Sequence, residues 1–242
     1  MQAIILAAGI GSRLRPITDH KPKTLTKVGN TEIIFRTIDT LTSKGVGDII
    51  IVVGYKKELI IKAVEERYPN LKVKFVINHD FETTNNSYSL YLAREFLGCE
   101  TLVMDSDLVF DPTILPDVLN IKGSSAAVDK SQYLEESMKV KVKDGIITSI
   151  SKKITAEFAY ACSVDIFKFI PSDSNLIRQA LIDTVEKQNQ KTLWVEYVWD
   201  GLCQSGELRI TPFDVNGRKW VEIDDATDLA LAEELFDADS KK

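Results

Sequence analysis

The sequence predicts an α/β fold: a mostly parallel, mixed central sheet flanked by helices, joined to a smaller β-rich portion. Three observations predict it. Short apolar runs alternate with segments of helical periodicity up to about residue 122, the first run passes straight into a glycine turn, and from Gly123 the alternation gives way to closely spaced strand patterns. Strands and helices joined by short links imply a parallel sheet with right-handed crossovers, and ligands of such sheets bind beyond the carboxyl ends of the strands.

The first strand is Gln2-Ala3-Ile4-Ile5-Leu6-Ala7-Ala8, a continuous apolar run of the kind a strand covered on both faces requires. Gly9-Ile10-Gly11-Ser12-Arg13 follows at once. Two glycines one residue apart let the backbone turn tightly and present N–H groups to an anion. Arg13, Arg15, Lys21, Lys23 and Lys27 then set five cations against the single acid Asp19, in a chain of net charge −6. A local positive loop on an acidic protein suggests a polyanion site, such as one for a nucleoside triphosphate. The dinucleotide fingerprint fails here because Leu14 stands where its third glycine belongs, and the Walker spacing is absent.

A helix is expected over residues 31–44, with Ile33, Ile34, Ile38 and Leu41 at helical spacing and Gly45 as its stop. Strand 48–53, helix 56–67 and strand 71–77 continue the alternation. The polar stretch 78–89 leads into a helix running to about Leu97. Within it Asn85 and Asn86 either cap that helix or read a base edge through amides that both donate and accept. Residues 101–104 form a strand ending in Asp105-Ser106-Asp107, where period-two alternation puts both carboxylates on one side. Such a carboxylate can hold Mg²⁺ together with phosphate oxygens and water.

Past Gly123, strands are expected over 125–129, 139–142, 146–150 and 157–166, with Asp144-Gly145 as a hairpin turn. A helix over 172–187 is expected to be capped by Ser172 or Asp173, and a terminal helix covers 227–236. All three tryptophans fall in Trp194-Val195-Glu196-Tyr197-Val198-Trp199-Asp200 and Trp220-Val221-Glu222-Ile223-Asp224. If 220–224 is a strand, Trp220, Glu222 and Asp224 share a face. Glu196, Trp199, Trp220 and Glu222 can then form a box for a cationic head group, or the tryptophans simply fill the core.

Composition bounds the rest. At 242 residues the chain is expected to form one domain, 1–242. It has no basic lead before its first apolar run and no apolar stretch of ~18 residues, so a cytoplasmic protein without signal peptide or membrane span is expected. Cys99, Cys162 and Cys203 are odd in number and widely spaced, which suggests reduced thiols that are mostly packed, and His20 with His79 does not suggest zinc. The acidic balance and the absence of a long basic tract argue against nucleic acid.

Leu6-Ala7-Ala8-Gly9-Ile10-Gly11-Ser12-Arg13-Leu14, running on to Pro16, Thr18 and Lys21-Pro22-Lys23, resembles the signature of the sugar-phosphate nucleotidyltransferase superfamily. Thr84-Asn85-Asn86-Ser87-Tyr88-Ser89-Leu90 is similar to the segment that faces the pyrimidine in its bacterial phosphocholine cytidylyltransferases. The resemblance implies a Rossmann-like fold with a nucleotide-binding half, about 1–122, and an acceptor-binding half, about 123–242. It implies nucleotide contacts from Leu6, Ala7, Ala8, Gly9, Gly11, Ser12, Arg13, Lys23, Asn85, Asn86 and Ser89. Asp107 and Asp224 match the metal ligands, for Mg²⁺, with Asp105 supporting the loop. Arg13 and Lys23 would act in catalysis, and Lys152 or Lys153 lies where a lysine contacts substrate phosphate. Glu196, Trp199, Trp220 and Glu222 complete the acceptor side.

The implied reaction is transfer from CTP, or another nucleoside triphosphate, to a small phosphorylated alcohol or phosphonate, with release of pyrophosphate. A sugar-1-phosphate uridylyl- or guanylyltransferase is the alternative, and a non-catalytic nucleotide-sensing subunit a further one. The resemblance leaves a homo-oligomer open and involves neither membrane nor nucleic acid.

Overall fold

The computed structural model describes residues 1–237. In chain order the elements are β1 (Gln2–Ala7), β2 (Lys27–Val28), β3 (Thr31–Glu32), α1 (Ile33–Ser43), β4 (Asp48–Val53), α2 (Lys57–Arg67), β5 (Val73–Ile77), α3 (Asn86–Leu92), β6 (Thr101–Asp105), β7 (Leu108–Phe110) and α4 (Ile114–Asn120). The second half adds β8 (Ser124–Asp129), β9 (Lys139–Lys143), β10 (Ile146–Ser151), β11 (Ala161–Phe169), α5 (Pro171–Ile182), α6 (Val195–Gln204), β12 (Ile210–Asp214), β13 (Trp220–Glu222) and α7 (Ala226–Asp237).

One nine-stranded mixed sheet runs through both halves. Strands β5, β4, β1 and β6 lie side by side and parallel, as the alternating pattern predicts. The β-rich portion is not a separate layer. Strand β11 pairs antiparallel with β6, β8 and β9, and so ties the later strands onto the same sheet. Along β1, Ala3, Ile5 and Ala7 face α1, α2 and α4, while Ile4 and Leu6 face α3, α5 and α6. This two-sided burial explains why β1 reads as an unbroken apolar run rather than an alternating one.

Several boundaries differ from those the sequence suggests. Thr31 and Glu32 pair with Lys27 and Val28, which delays α1 to Ile33. The helix expected to start within 83–87 and run to about Leu97 begins at Asn86 with Asn85 as its N-cap, but ends at Leu92, followed by a separate turn at Arg94–Phe96. The last long strand starts at Ala161 because Phe158 and Ala159 donate back to the Thr155 carbonyl. Helix α5 has Ile170 at its N-cap and Pro171 in its first turn, while the Asp173 carboxylate accepts from Ser124 Oγ at 2.6 Å. Its expected last turn widens into a π-helical turn, Asp183–Lys187. The Asp144-Gly145 hairpin adopts φ of 52° and 76°, the left-handed pair that its turn type requires.

Two local features aim side chains at the carboxyl end of the sheet. A register shift in β11 between Ser163 and Phe167 leaves Asp165 at φ 54°, an uncommon conformation for a residue other than glycine. Pairing of β13 with β7 sets Glu222 opposite Leu108 and so brings the chain near 222–224 beside Asp107. Among the described residues no helix is long and apolar enough to cross a membrane, and the three cysteines are free, Cys99 exposed and the others buried.

Candidate active site

A cavity of about 230 Å³ opens beyond β1 and β6, floored by Leu6, Ala7, Ala8, Gly9 and Gly11. Gly11 has φ +67°, and a Cβ on it would lie 3.0 Å from Lys23 Cβ and 3.3 Å from Thr18 Cγ2. Glycine is therefore what lets the loop lie against the Lys23 segment, where Thr18 Oγ1 donates to the Gly11 carbonyl at 2.9 Å. Ser12 opens the next turn and is not among the residues lining the cavity.

Of the five cations read from the sequence, Arg13 and Lys23 line the cavity. Lys23 Nζ lies 2.5 Å from Asp107 Oδ2 and 3.1 Å from Asp224 Oδ1, and Arg13 Nη2 lies 2.7 Å from Asp224 Oδ2. Burial works against the Lys23 charge, but Asp107 and Asp224 outweigh it and hold its pKa above the ordinary lysine value. Arg15 and Lys27 pair instead with Asp19 and Glu32.

Six carboxyl groups reach the cavity in two groups of three. Asp107, Glu222 and Asp224 each offer an oxygen within 4.8 Å of the others, as do Asp105, Asp165 and Glu196. Period-two alternation does not carry from Asp105 to Asp107: β6 ends at Asp105, and the Ser106-Asp107 turn directs the two acids into different groups. Asp105 thus belongs to a second acidic cluster rather than simply supporting the loop. The backbone N–H of Ile223 donates to the Asp107 carbonyl, while both Asp224 and Asp225 donate to Asp228 at the start of α7.

Burial raises the pKa of Glu222, as does repulsion from Asp165, Asp107 and Asp224. In the second cluster burial is again the largest cause: Asp105 is raised well above the usual range, Asp165 to about 6 and Glu196 to about 8. Glu196 is only 3% exposed, and its Oε2 has no hydrogen-bond partner. These groups bind protons more tightly folded than unfolded, so stability falls as pH rises through their unfolded and then folded pKa values. Thermal unfolding of the ligand-free protein is expected to show a lower Tm at pH 8 than at pH 5. Glu196→Gln should flatten that slope, whereas an unchanged slope would show that Lys152 offsets burial and the repulsion from Asp165 and Asp105, leaving the Glu196 carboxyl in its ordinary range.

Asn85, Asn86 and Ser89 all line the cavity, and the asparagine amides are also engaged within the protein. Asn85 is the N-cap of α3, accepting from the Asn86 N–H at 2.8 Å. Asn86 Oδ1 accepts from the Val195 N–H at 2.8 Å, and its amide also bonds the Glu196 carboxylate. Ser89 Oγ accepts from Asn78 Nδ2 at 3.1 Å.

The two lysines left open by the sequence separate. Lys152 lines the cavity with Nζ 4.8 Å from the centre of the Trp194 ring, whereas Lys153 is exposed and outside it. Glu196 and Glu222 line the cavity as expected, but two of the tryptophans offered for a cation box do not. Trp199 is 1% exposed, with its ring 4.1 Å from Phe167 and 5.2 Å from Phe169. Trp220 is buried in the core and donates through Nε1 to Asp129 Oδ2 at 2.8 Å. Helical geometry in 195–204 turns Trp199 inward, and Trp220 shares the β13 face with Glu222 but lies two residues back along the strand, where its ring packs into the core while Glu222 reaches the cavity. Trp194 is the tryptophan on the cavity. Asp165 was also missed; its signal was a lone acid among the apolar residues of strand Ala161–Phe169.

The chain matches the family model described as nucleotidyl transferase over residues 2–158. It is 30% identical to choline-phosphate cytidylyltransferase of Streptococcus pneumoniae, covering 98% of each chain. It is 29% identical to CMP-5'-(3-aminopropyl)phosphonate synthase of Streptomyces rubellomurinus over 98% of its own length, but it spans only 39% of that protein. Among solved structures, CTP:phosphocholine cytidylyltransferase from Streptococcus pneumoniae superposes with TM-score 0.80 at 28% identity, covering 96% of this chain and 97% of that one.

Proposed function

Because the chain belongs to the nucleotidyl transferase family, we propose that it is a cytidylyltransferase, joining CTP to a small phosphorylated alcohol or phosphonate. The observation that carries this reading is the meeting of the glycine loop, Arg13 and Lys23 with the Asp107–Glu222–Asp224 carboxylates at one end of the sheet. The choice of CTP rests on the relatives named above and on Asn85, Asn86 and Ser89 at the cavity wall. The unbroken sheet supports reading the described residues 1–237 as one domain; residues 238–242 of the expected 1–242 lie outside the described residues.

The donors of the Asp107 cluster suit a hard divalent cation such as Mg²⁺, since all are carboxylate oxygens and Asp107 Oδ1 is buried without a partner. Asp107 and Asp224 would hold it, and it would neutralise charge on the α-phosphate and the leaving pyrophosphate. In the proposed reaction an acceptor phosphate or phosphonate oxygen attacks the α-phosphorus. A new P–O bond forms, the bond to the β-phosphate oxygen breaks, and pyrophosphate leaves with that electron pair. An acceptor phosphate is already largely dianionic near neutral pH, because its second pKa lies near ~6, so no general base is required. The work of the chain is positioning and charge. Loop amides from Gly9 to Gly11 hold the nucleotide, Arg13 and Lys23 stabilise the triphosphate and leaving group, and Lys152 meets the acceptor's anion.

Pyrophosphate release should be measured with CTP, UTP, GTP, ATP and dTTP against small phosphate esters, phosphonates and hexose 1-phosphates. The expected result is turnover with CTP and a non-sugar acceptor. Turnover confined to UTP or GTP with a hexose 1-phosphate would replace this reading with the sugar nucleotide one.

A further inference from the structure

We infer that the Asp105–Asp165–Glu196 end of the cavity binds a primary ammonium group on the acceptor and selects it over a quaternary one. The inference rests on the acceptor reading above and specifies its substrate class. Three carboxyl groups converge there, each with an oxygen within 4.8 Å of the other two. Three acceptors around one ammonium nitrogen, each at about 2.8 Å, lie about 4.6 Å apart, so that span accommodates the three N–H donors of R–NH₃⁺.

The cluster is built rather than casual. Asp165 is delivered by the bulge in β11, and its Oδ1 accepts from Ser163 Oγ at 2.8 Å. Glu196 is steadied by the Asn86 amide, while its Oε2, buried on the cavity wall, lacks a donor. A bound ammonium supplies that donor. Lys152 faces Asp165 and Glu196 and offsets part of their charge, and a bound ammonium adds the second cation that favours the ionised carboxylates.

The surroundings argue against a quaternary ammonium. A trimethylammonium group has no N–H to give the three carboxyls and is recognised through aromatic faces. Trp199 and Trp220 are in the core, and Lys152 lies over the Trp194 ring, so the three tryptophans form no box around this cluster. A second divalent ion is the other occupant that three carboxyl oxygens allow, and Mn²⁺ titration separates it from an ammonium.

The test is a series of acceptors that differ only at nitrogen: phosphoethanolamine, its N-methyl and N,N-dimethyl derivatives, and phosphocholine, with propyl phosphate as the neutral control. The full chain with CTP and Mg²⁺ is expected to show kcat/KM falling at each methylation, by at least 100-fold across the series, with propyl phosphate equally poor. In Glu196→Gln and Asp165→Asn the ratio of phosphoethanolamine to phosphocholine should collapse below 10, a readout that a general loss of folded enzyme does not move. Phosphocholine as good as phosphoethanolamine, or propyl phosphate as good as either, overturns the inference. Calorimetric binding of the same acceptors without nucleotide reads the ammonium site even when CTP is not the donor. The same order of Kd values there supports it, and equal values overturn it. Mn²⁺ titration that finds two ions per chain, reduced to one by Glu196→Gln, assigns the cluster to a metal instead.

Discussion

Lys23→Met is expected to lower turnover by about 10³-fold, the scale of losing a preorganised charge at a reacting centre. It is also expected to lower stability by about 2–3 kcal/mol. Removing one partner of a buried ion pair leaves the other charge uncompensated and costs about 3–5 kcal/mol; the residual exposure of this group places it at or below the lower end. The Lys23 side chain is 15% exposed, and its ammonium holds both Asp107 and Asp224, which otherwise face each other and Glu222. Because the folded-state pKa of Lys23 is raised, this contribution is fully present below the ordinary lysine value and is lost only as pH rises through the folded value. The loss in the variant should therefore appear across the whole neutral range. Urea unfolding and steady-state rates check both effects, and turnover within tenfold of the wild type would remove Lys23 from the catalytic charge balance.

Asp107→Asn is expected to separate activity from stability. Turnover should fall by at least about 10³-fold, since a carboxylate assigned to the metal and to the developing charge is lost. Stability should stay within about 1 kcal/mol of the wild type, because the substitution removes one of three crowded like charges while Lys23 keeps its bond to Asp224. Unfolding curves together with Mn²⁺ binding measure this contrast. A variant that keeps its turnover contradicts the metal assignment, and one that unfolds with its activity shows Asp107 to be structural.

The different stability effects expected for these two changes follow from geometry that the sequence carries only in part. The individual strands, the glycine loop and the closeness of Arg13 and Lys23 to that loop are legible in local pattern, because each is set within a short stretch of chain. So is the presence of acids at Asp107 and Asp224. What local pattern does not carry is their separation from Asp105, since a single turn after β6 decides which way each carboxylate points. The tryptophans illustrate the same limit. Their proximity to acids in sequence suggested an aromatic box, but the helical phase of Trp199 and the packing of Trp220 against Asp129, two residues back along β13 from Glu222, bury both rings. Asp165 is the converse case: only the long-range pairing of β11 with β8 and β6 creates the bulge that aims it at the cavity.

The most direct test of nucleotidyl transfer is a ³¹P NMR spectrum of the full chain with CTP, Mg²⁺ and phosphoethanolamine. The account predicts that the CTP and acceptor signals are replaced by pyrophosphate and a pair of coupled diphosphate resonances, in equal amounts and with no CMP. CTP and acceptor signals that persist unchanged at high enzyme concentration, or CMP and pyrophosphate formed with the acceptor untouched, would contradict it.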